Sequence, residues 1–221
     1  DHASRNVKRW MQPERRAPQA LFAGPNSLKV TYQPKGVIGV IAPWNMPFYL
    51  SLGPLVAALA AGNRVMIKLP EETPKSNAVI KTLITEIFHS DEVAVFGEEL
   101  TNPEEFTALE FDHIIFTGSA RVGRLVMEAA AKNLVPVTLE LGGKSPAIVA
   151  EDYSTSDAAL RIVHGKAAMS GQICVSPDYA LVQTDRIPEF VLAAQSAFSR
   201  LFPDGAEGRP EYCSIVNDRQ V

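Results

Sequence analysis

Short runs rich in Val and Ile alternate with longer helix-like segments from residue 28 onward, and this alternation limits the folds open to the chain. The short runs have the length of strands and lie at residues 36–42, 64–68, 92–96, 113–116 and 135–141. The segments between them have the length of helices and lie at residues 48–61, 74–89, 103–109 and 120–132. Strands separated by helices form parallel sheets with helices on both faces. The sequence therefore predicts an α/β fold built on a doubly wound, mostly parallel sheet.

Local signals indicate where two of these helices begin and end. Thr73 places a capping hydroxyl directly before Pro74, and proline favours the first position of a helix. Gly62 and Asn63 follow the 48–61 helix and favour its termination. We therefore expect a helix capped by Thr73 and another that ends before Gly62.

A glycine pair, Gly142-Gly143, is the best candidate for a domain junction. After it the alternation resumes, with strands at residues 145–150 and 179–183 and helices at residues 157–170 and 188–201. At the other end of the chain, residues 1–27 contain five basic side chains and three prolines but no sustained apolar period. We interpret residues 1–27 as a solvated entry segment.

Composition and charge exclude several classes of protein. The 221 residues are 46% hydrophobic and 21% charged, which is typical of soluble globular domains. The net charge of -4 lacks the basic excess that nucleic-acid-binding proteins usually show, so we expect no nucleic-acid partner. The longest mainly apolar run, residues 48–61, is shorter than the ~20 residues of a membrane span. With no apolar secretory signal at the start, we expect a cytoplasmic protein that does not enter a membrane.

Two glycine clusters suggest nucleotide binding, but neither matches the common templates. Residues 118–123 have the G-x4-G spacing of a P-loop, yet Arg124 stands where its lysine must be. Residues 138–145 end in Gly-Lys-Ser but begin with threonine, and G-x-G-x-x-G is absent. Gly118 and Ser119 remain, between a strand and the 120–132 helix, where a helix N-terminus favours an anion. An ordinary strand-to-helix turn explains these two residues equally well.

Cys174 follows a predicted helix and is flanked by turn residues, which suits an accessible thiol. The other cysteine, Cys213, has no such setting. Two alternatives stay open, because a lone cysteine often only fills a core, and a Cys-His protease could use His113 or His164. Neither C-x-x-C nor H-x-x-x-H spacing occurs in the sequence, so we predict no metal site.

Two further polar residues are candidates for acid-base or electrostatic chemistry. Glu140 ends an apolar strand beside two glycines, where burial in a cleft would raise its pKa into the range of a general base. Asn45 lies between Pro43 and Pro47, which would hold its amide rigidly enough to bind an oxyanion. A charge at the end of a strand and an ordinary loop are the simpler interpretations.

Taken together and in order, these motifs resemble the aldehyde dehydrogenase superfamily. The segments that carry the resemblance are Pro43-Trp44-Asn45, Ala61 to Val65, Phe116 to Ser119, Glu140 to Pro146 and Gly171 to Cys174. Residues 53–58, 138–147 and 174–179 look most like the class 3 and coniferyl aldehyde dehydrogenase branch. The resemblance runs from about Lys8 to Val221, which is nearly the whole chain.

For the chemistry, the resemblance implies NAD(P)-dependent oxidation of an aldehyde, possible substrates being aromatic and coniferyl-type, to the carboxylic acid. Cys174 would be the nucleophile that forms a thiohemiacetal and then a thioester. The Asn45 amide and the Cys174 backbone N–H would bind the oxyanion, and Glu140 would activate the water that hydrolyses the thioester. A coenzyme A-acylating dehydrogenase is an alternative, although such enzymes commonly lack the base at Glu140.

For the cofactor, the resemblance implies that Lys68 and Glu71 bind the adenosine ribose and that Ser119 holds the pyrophosphate. The other implied coenzyme contacts are Trp44, Gly118, Val122, Leu141 and Gly142. A carboxylate at Glu71 would repel a 2′-phosphate, which favours NAD, while NADP is possible. Leu69-Pro70 departs from the Pro-Ser of many members and could shift this loop.

The resemblance also implies a partial chain, because the Glu-x-Phe-Gly-Pro segment and the later catalytic domain are missing. Residues 28–143 would form a Rossmann-like NAD(P)-binding domain, with one arm of the oligomerisation element near residues 28–36. Residues 144–221 would be the first part of an α/β catalytic domain. The full-length enzyme would be a homodimer, and the 221 residues alone could be an inactive coenzyme-binding fragment.

Overall fold

The computed structural model describes residues 2–19, 24, 26–100, 102–209 and 212–220, which form two compact units. The first unit is Asp1–Glu140 and the second is Leu141–Val221. The helices of the first unit are α1 (His2–Trp10), α2 (Pro47–Ala60), α3 (Pro74–Ile87), α4 (Pro103–Thr107) and α5 (Ala120–Lys132). Its strands are β1 (Glu14–Arg16), β2 (Leu28–Val30), β3 (Val37–Ile41), β4 (Arg64–Lys68), β5 (Val93–Phe96), β6 (His113–Gly118) and β7 (Val137–Leu141), the last of which ends one residue beyond the boundary.

The main sheet has the strand order β5-β4-β3-β6-β7. The pairs β3/β4, β4/β5 and β3/β6 are parallel, which confirms the predicted parallel sheet. The chain starts in the middle at β3, moves outward through β4 to β5, and then returns to place β6 on the other side of β3. In sheets of this kind, ligands bind beyond the carboxyl ends of the strands where the direction of progress reverses. That point lies between β3 and β6.

Two apolar clusters cover the two faces of this sheet. On one face, α2 and α3 contribute Leu55 and Ile80 to a cluster with Val65 and Ile67 of β4. On the other face, α4 and α5 pack Phe106 and Val126 against residues of β6. Because side chains alternate along a strand, each central strand supplies both clusters, and the layer order helix-sheet-helix follows.

The first residues of the chain contain elements that the sequence did not predict. Every residue of α1 is exposed or half-buried, and β1 pairs antiparallel with β2 in the register Glu14↔Val30. Neither element has the apolar period by which buried helices and strands are recognised. Part of the predicted entry segment, namely residues 1, 20–23 and 25, lies outside the described residues.

The start of α3 corrects the predicted cap. The Thr73 hydroxyl donates to Asn77 Oδ1 at 3.1 Å instead of accepting a helix N–H. Pro74 does occupy the first turn, as predicted. The end of α2 is also as predicted, because Gly62 follows it with a φ of 84°.

The second unit contains β8 (Ser145–Ile148), α6 (Thr155–Ala167), β9 (Pro177–Leu181) and α7 (Ile187–Leu201). Strands β8 and β9 are parallel, and α6 packs on α7. The Arg186 guanidinium bonds the backbone oxygens of Ala150, Glu151 and Tyr153, which fixes the loop before α6. Helix α6 ends before the predicted residue 170, because Met169 and Ser170 adopt left-handed backbone angles. Among the described residues, no helix has the length and apolar character that crossing a bilayer requires.

Candidate active site

Two of the predicted site segments follow β3 and β6, the neighbouring strands between which the order of strand addition reverses. Trp44 and Asn45 follow β3, and both side chains are half-buried in the loop before α2. Gly118 ends β6, and Ser119 stands between β6 and α5. The fold therefore brings the Trp44-Asn45 loop and the Gly118-Ser119 turn to the same edge of the sheet.

Ser119 is the N-cap of α5. Its backbone is extended, and its Oγ accepts a hydrogen bond from Val122 N at 3.3 Å. The cap places Val122 in the first turn of α5, where N–H groups and the helix dipole favour an anion. The side chain of Ser119 is exposed.

Gly118 has a packing role that the sequence did not reveal. A Cβ on Gly118 would lie 2.5 Å from Cζ of Phe116, a buried residue of the core below α5. The prediction attributed this glycine to the approach of an anion. A Cβ at this position would force the Phe116 ring or the turn to shift, so close packing is a second reason for glycine here.

Lys68 and Glu71 form an ion pair at the carboxyl end of β4. Lys68 Nζ lies 2.5 Å from Glu71 Oε1 and 3.3 Å from the backbone oxygen of Leu69. The lysine side chain is only 7% exposed, whereas that of Glu71 is 51% exposed. Partial burial raises the pKa of Glu71, but the hydrogen bonds from Lys68 and its own backbone N–H outweigh this and lower it. Glu71 is therefore a charged, accessible acceptor at neutral pH.

The loop that carries Glu71 is held by a residue that the sequence did not single out. Asn77, on α3, is completely buried, and it bonds Pro70 and Thr73 on either side of Glu71. A signal was present in the sequence. Residues 77, 80 and 84 follow the i, i+3, i+7 spacing of one helix face, and the asparagine shares that face with Ile80 and Ile84.

Cys174 lies in the second unit, in the loop between α6 and β9, and its thiol is free and exposed. The predicted accessibility of Cys174 is therefore seen. The loop begins with three consecutive residues in the left-handed region, Met169 at φ 50°, Ser170 at φ 55° and Gly171 at φ 76°. Such angles are unfavourable for residues other than glycine and need support from their surroundings.

Gln172 provides much of that support. Its Nε2 donates to Met169 O at 2.9 Å and to Ser214 O at 3.1 Å. Its Oε1 accepts from Val216 N at 3.0 Å. One side chain thus joins the cysteine loop to a segment more than 40 residues further along the chain.

The glycine pair also approaches the cysteine loop. A Cβ on Gly143 would lie 3.0 Å from the backbone oxygen of Cys174, and Ser145 Oγ is 3.5 Å from the same atom. Lys144 forms an ion pair of 2.7 Å with Asp178. The segment 143–145 is therefore fixed against the residues around Cys174, and Gly143 leaves room for that backbone.

Glu140 and Leu141 end β7, and Gly142 follows them. The side chain of Glu140 is exposed, so the burial that the sequence predicted does not occur within these 221 residues. Leu141 and Gly142 are exposed as well. The roles assigned to these three residues stay predictions.

The two histidines of the Cys-His alternative lie in regular elements of the fold. His113 Nε2 is 2.8 Å from Thr138 Oγ1, and burial, followed by the charge of Lys35, lowers its pKa. His113 begins β6 and so lies at the sheet edge opposite Gly118. His164 lies in the last turn of α6. In the described part of the chain, no three His, Cys, Asp or Glu side chains come together as a metal site would need.

Comparison with known proteins shows which family the chain belongs to. Residues 6–221 match the Aldehyde dehydrogenase family. The chain belongs to this family. A probable coniferyl aldehyde dehydrogenase of Pseudomonas aeruginosa is 51% identical over 220 residues, covering 100% of this chain and 46% of the relative. The coniferyl aldehyde dehydrogenase of Pseudomonas sp. strain HR199 is 42% identical, covering 97% of this chain and 44% of its own.

Solved structures of aldehyde dehydrogenases have the same fold. The substrate-bound state of Staphylococcus aureus AldH superposes with a TM-score of 0.87 at 38% identity, covering 97% of this chain and 47% of that one. A Mycobacterium tuberculosis aldehyde dehydrogenase complexed with NAD+ superposes with a TM-score of 0.78 at 30% identity, covering 90% of this chain and 40% of that one. These likenesses confirm the family resemblance and the α/β, Rossmann-like fold. The chain spans less than half the length of the relatives it matches.

Proposed function

We propose that the protein to which these residues belong oxidises an aldehyde to a carboxylic acid with NAD(P), using Cys174 as the nucleophile. The observation that carries the proposal is the exposed Cys174 thiol, in a loop held by Gln172 and approached closely by Gly143, in a chain of the aldehyde dehydrogenase family. An accessible thiol on a fixed loop is what nucleophilic attack requires.

The residues of this chain would divide the chemistry among them. The Cys174 thiolate would attack the carbonyl carbon, and the resulting oxyanion would accept hydrogen bonds from the Asn45 amide and the Cys174 backbone N–H. A bound nicotinamide would accept the hydride that converts the thiohemiacetal to a thioester. Glu140 would then take a proton from the water that hydrolyses this thioester and releases the thiolate.

The residues expected to bind the coenzyme suit an adenine dinucleotide. Glu71 is charged and accessible, so it can accept hydrogen bonds from the ribose hydroxyls, while Lys68 holds its carboxylate in place. The first turn of α5, with Ser119 and Val122, offers N–H groups to the pyrophosphate. Trp44, Gly118, Leu141 and Gly142 complete the proposed set. The negative charge of Glu71 favours NAD over NADP.

A hydrophobic, coniferyl-type aldehyde is the substrate class that we propose, by analogy with the two relatives named for that activity. We also propose a homodimer, in which residues 28–36 would contribute to the subunit contact. A cytoplasmic location fits the two exposed, unpaired cysteines, because thiols persist in a reducing compartment.

The test compares the two cysteines in the full-length protein. Cys174→Ser should abolish formation of reduced coenzyme from aldehyde while NAD binding persists, because only the nucleophile is removed. Cys213→Ser is the matched control, since this thiol is also free and exposed, and it should keep full turnover. Undiminished turnover by Cys174→Ser would refute the proposal. Turnover that requires added coenzyme A would identify the acylating alternative instead.

A further inference from the structure

Asn77 is a completely buried amide whose partners belong to two loops at the carboxyl edge of the sheet. Its Nδ2 donates to Pro70 O at 2.7 Å and to Glu98 Oε2 at 3.1 Å. Its Oδ1 accepts from Thr73 Oγ1 at 3.1 Å. Buried amides are hydrogen-bonded because a missing partner costs the full desolvation of the group, so these contacts define the position of the loops strongly.

The partners of Asn77 flank Glu71. Residues 69–73, which we call the ribose loop, connect β4 to α3, and Asn77 fixes this loop at Pro70 and at Thr73. The start of the loop is fixed by Leu69 N, which donates to Phe96 O at 2.7 Å. Between these points, the Glu71 carboxylate is oriented by Lys68.

Glu98 anchors Asn77 from the second loop, the one that follows β5. Hydrogen bonds from its own backbone N–H and then from Asn77 lower the pKa of Glu98, so it accepts as a carboxylate. Charged acceptors form stronger hydrogen bonds than neutral ones. The Asn77 side chain is therefore restrained on both sides, by the ribose loop and by Glu98.

We propose that Asn77 is a positioning residue that fixes the Glu71 carboxylate and thereby sets the preference of the enzyme for NAD over NADP. This inference rests on the proposed role of Glu71 in ribose binding. The carboxylate discriminates because it bonds the ribose hydroxyls of NAD and repels the extra phosphate of NADP. Both effects depend on its distance from the ribose, and displacement of the loop weakens both.

Asn63 offers a matched control at the opposite edge of the same sheet. It is also a buried asparagine, and its Oδ1 accepts from Lys35 N at 2.6 Å and Gly36 N at 3.0 Å, while its Nδ2 donates to Ala58 O. Asn63 thus has as many polar contacts as Asn77 but lies before β4 rather than after it. Its removal reports the purely structural cost of losing a buried amide.

The experiment measures dissociation constants for NAD and for NADP by titration of the full-length protein. In Asn77→Ala the dissociation constant for NAD should rise roughly 5- to 20-fold, the size of effect expected when a buried hydrogen-bond network loses its centre. The dissociation constant for NADP should rise less. The ratio of the NADP to the NAD dissociation constant, which we call the NADP/NAD ratio, should therefore fall. The kcat at saturating NAD should stay within about twofold, because the residue acts through binding. Asn63→Ala should lower thermal stability and leave the ratio unchanged.

A milder pair of variants applies if Asn77→Ala fails to fold. Thr73→Val removes only the hydroxyl that bonds Asn77 Oδ1, and it should shift the NADP/NAD ratio in the same direction by a smaller factor. Thr73→Ser restores the hydroxyl and should restore the ratio. A purely structural role of Asn77 predicts no such rescue of coenzyme preference.

Glu71→Gln separates failure of this inference from failure of the proposed function. If Glu71→Gln lowers the ratio while Asn77→Ala and Thr73→Val leave it unchanged, Asn77 does not position the carboxylate and the inference is wrong. If Glu71→Gln changes the affinity for neither coenzyme, the proposed ribose contact itself is wrong. A lowered ratio in all three variants, with an unchanged ratio in Asn63→Ala, supports both.

Discussion

The ribose loop in the first unit and the cysteine loop in the second are stabilised in opposite ways. The ribose loop is held by hydrogen bonds to Asn77, a completely buried residue of α3. The cysteine loop is held by Gln172, a half-buried residue whose side chain forms hydrogen bonds with backbone atoms of Ser214 and Val216. The first support comes from a nearby helix and the second from a distant stretch of chain.

This difference has a consequence for how each loop tolerates change. Contacts within a packed helix and strand form with the fold and are protected from water. The contacts of Gln172 depend on a segment without helix or strand, residues 212–217, and on left-handed residues that carry a conformational cost. We therefore expect the cysteine loop to be the more sensitive of the two to single substitutions. Loss of its supporting hydrogen bonds should lower kcat rather than weaken coenzyme binding.

Gln172→Ala should have the largest effect. It removes three side-chain hydrogen bonds and with them most of the support of the cysteine loop by residues 214–216, so the thiol loses its fixed approach to the aldehyde. We expect kcat in the full-length enzyme to fall about 10- to 100-fold, as misplacement of a reacting group does, with the dissociation constant for NAD unchanged. Steady-state kinetics and NAD titration measure the two quantities.

Gln183→Ala is the control for this substitution, because Gln183 is an exposed glutamine in the same unit, after β9. It should leave both quantities unchanged. A normal kcat in Gln172→Ala would show that the cysteine loop is no more sensitive than the ribose loop. Weakened NAD binding in this variant would show that Gln172 affects coenzyme binding as well as catalysis.

Gly118→Ala should have the next largest effect, on the stability of the first unit. The added methyl would lie 2.5 Å from the buried Phe116 ring, so the ring or the turn must move. Overpacking of this kind costs about 1–3 kcal/mol of unfolding free energy. Thermal and urea unfolding of the full-length protein should both show the loss.

Gly53→Ala tests the same change where there is space. Gly53 is exposed in the interior of α2, and apart from its chain neighbours and the nearby backbone of α2, no atom of the described residues lies within 4 Å of its added Cβ. The helix propensity that alanine gains over glycine, about 0.5–1 kcal/mol, is opposed by Pro54, whose ring disfavours helical angles in a preceding residue that has a Cβ, so this variant should change stability less than Gly118→Ala. Equal effects of the two variants would show that the Phe116 contact is not what requires glycine at 118.

The elements of the main sheet were predictable because burial leaves a periodic signal. Strand β4 and helix α5 match their predicted residues one for one, since both are bounded by residues with clear turn or capping chemistry. Helix α1 and strand β1 were missed because exposed elements carry no apolar period. The predicted helix at residues 157–170 ended three residues too late, because left-handed angles at Met169 and Ser170 have no signal in residues other than glycine.

The candidate site could be predicted in its reactive residues but not in its supports. Cys174 and Glu71 stand in recognisable motifs, whereas the contacts of Gln172 with Ser214 join residues distant in sequence. Likewise, the bond between Asn77 and Glu98 depends on the pairing of β4 with β5, which places the two following loops side by side. Supports of this kind follow from tertiary structure, which no local pattern encodes.

The smallest predicted effect concerns Lys81 and Glu99, an exposed ion pair beside the support of the ribose loop. The hydrogen bond from Lys81 outweighs partial burial and lowers the pKa of Glu99 to about 2. A carboxyl whose folded pKa is depressed stabilises the fold above its ordinary value of 4.5, and this contribution is lost as the pH falls towards 2. Because the pair is solvent-exposed, Glu99→Gln should cost only about 0.5 kcal/mol at neutral pH.

Urea unfolding of the wild type and Glu99→Gln across this pH range measures the prediction. The difference between the two proteins should be constant above pH 4.5 and shrink below it, and added salt should reduce it at neutral pH. Coenzyme affinity should be unchanged, because Asn77 bonds Glu98 rather than Glu99. If Glu99→Gln weakened NAD binding as much as Asn77→Ala, the position of the ribose loop would depend on a surface ion pair as well as on the buried Asn77 amide. The two loops would then differ less in how far their supports are buried.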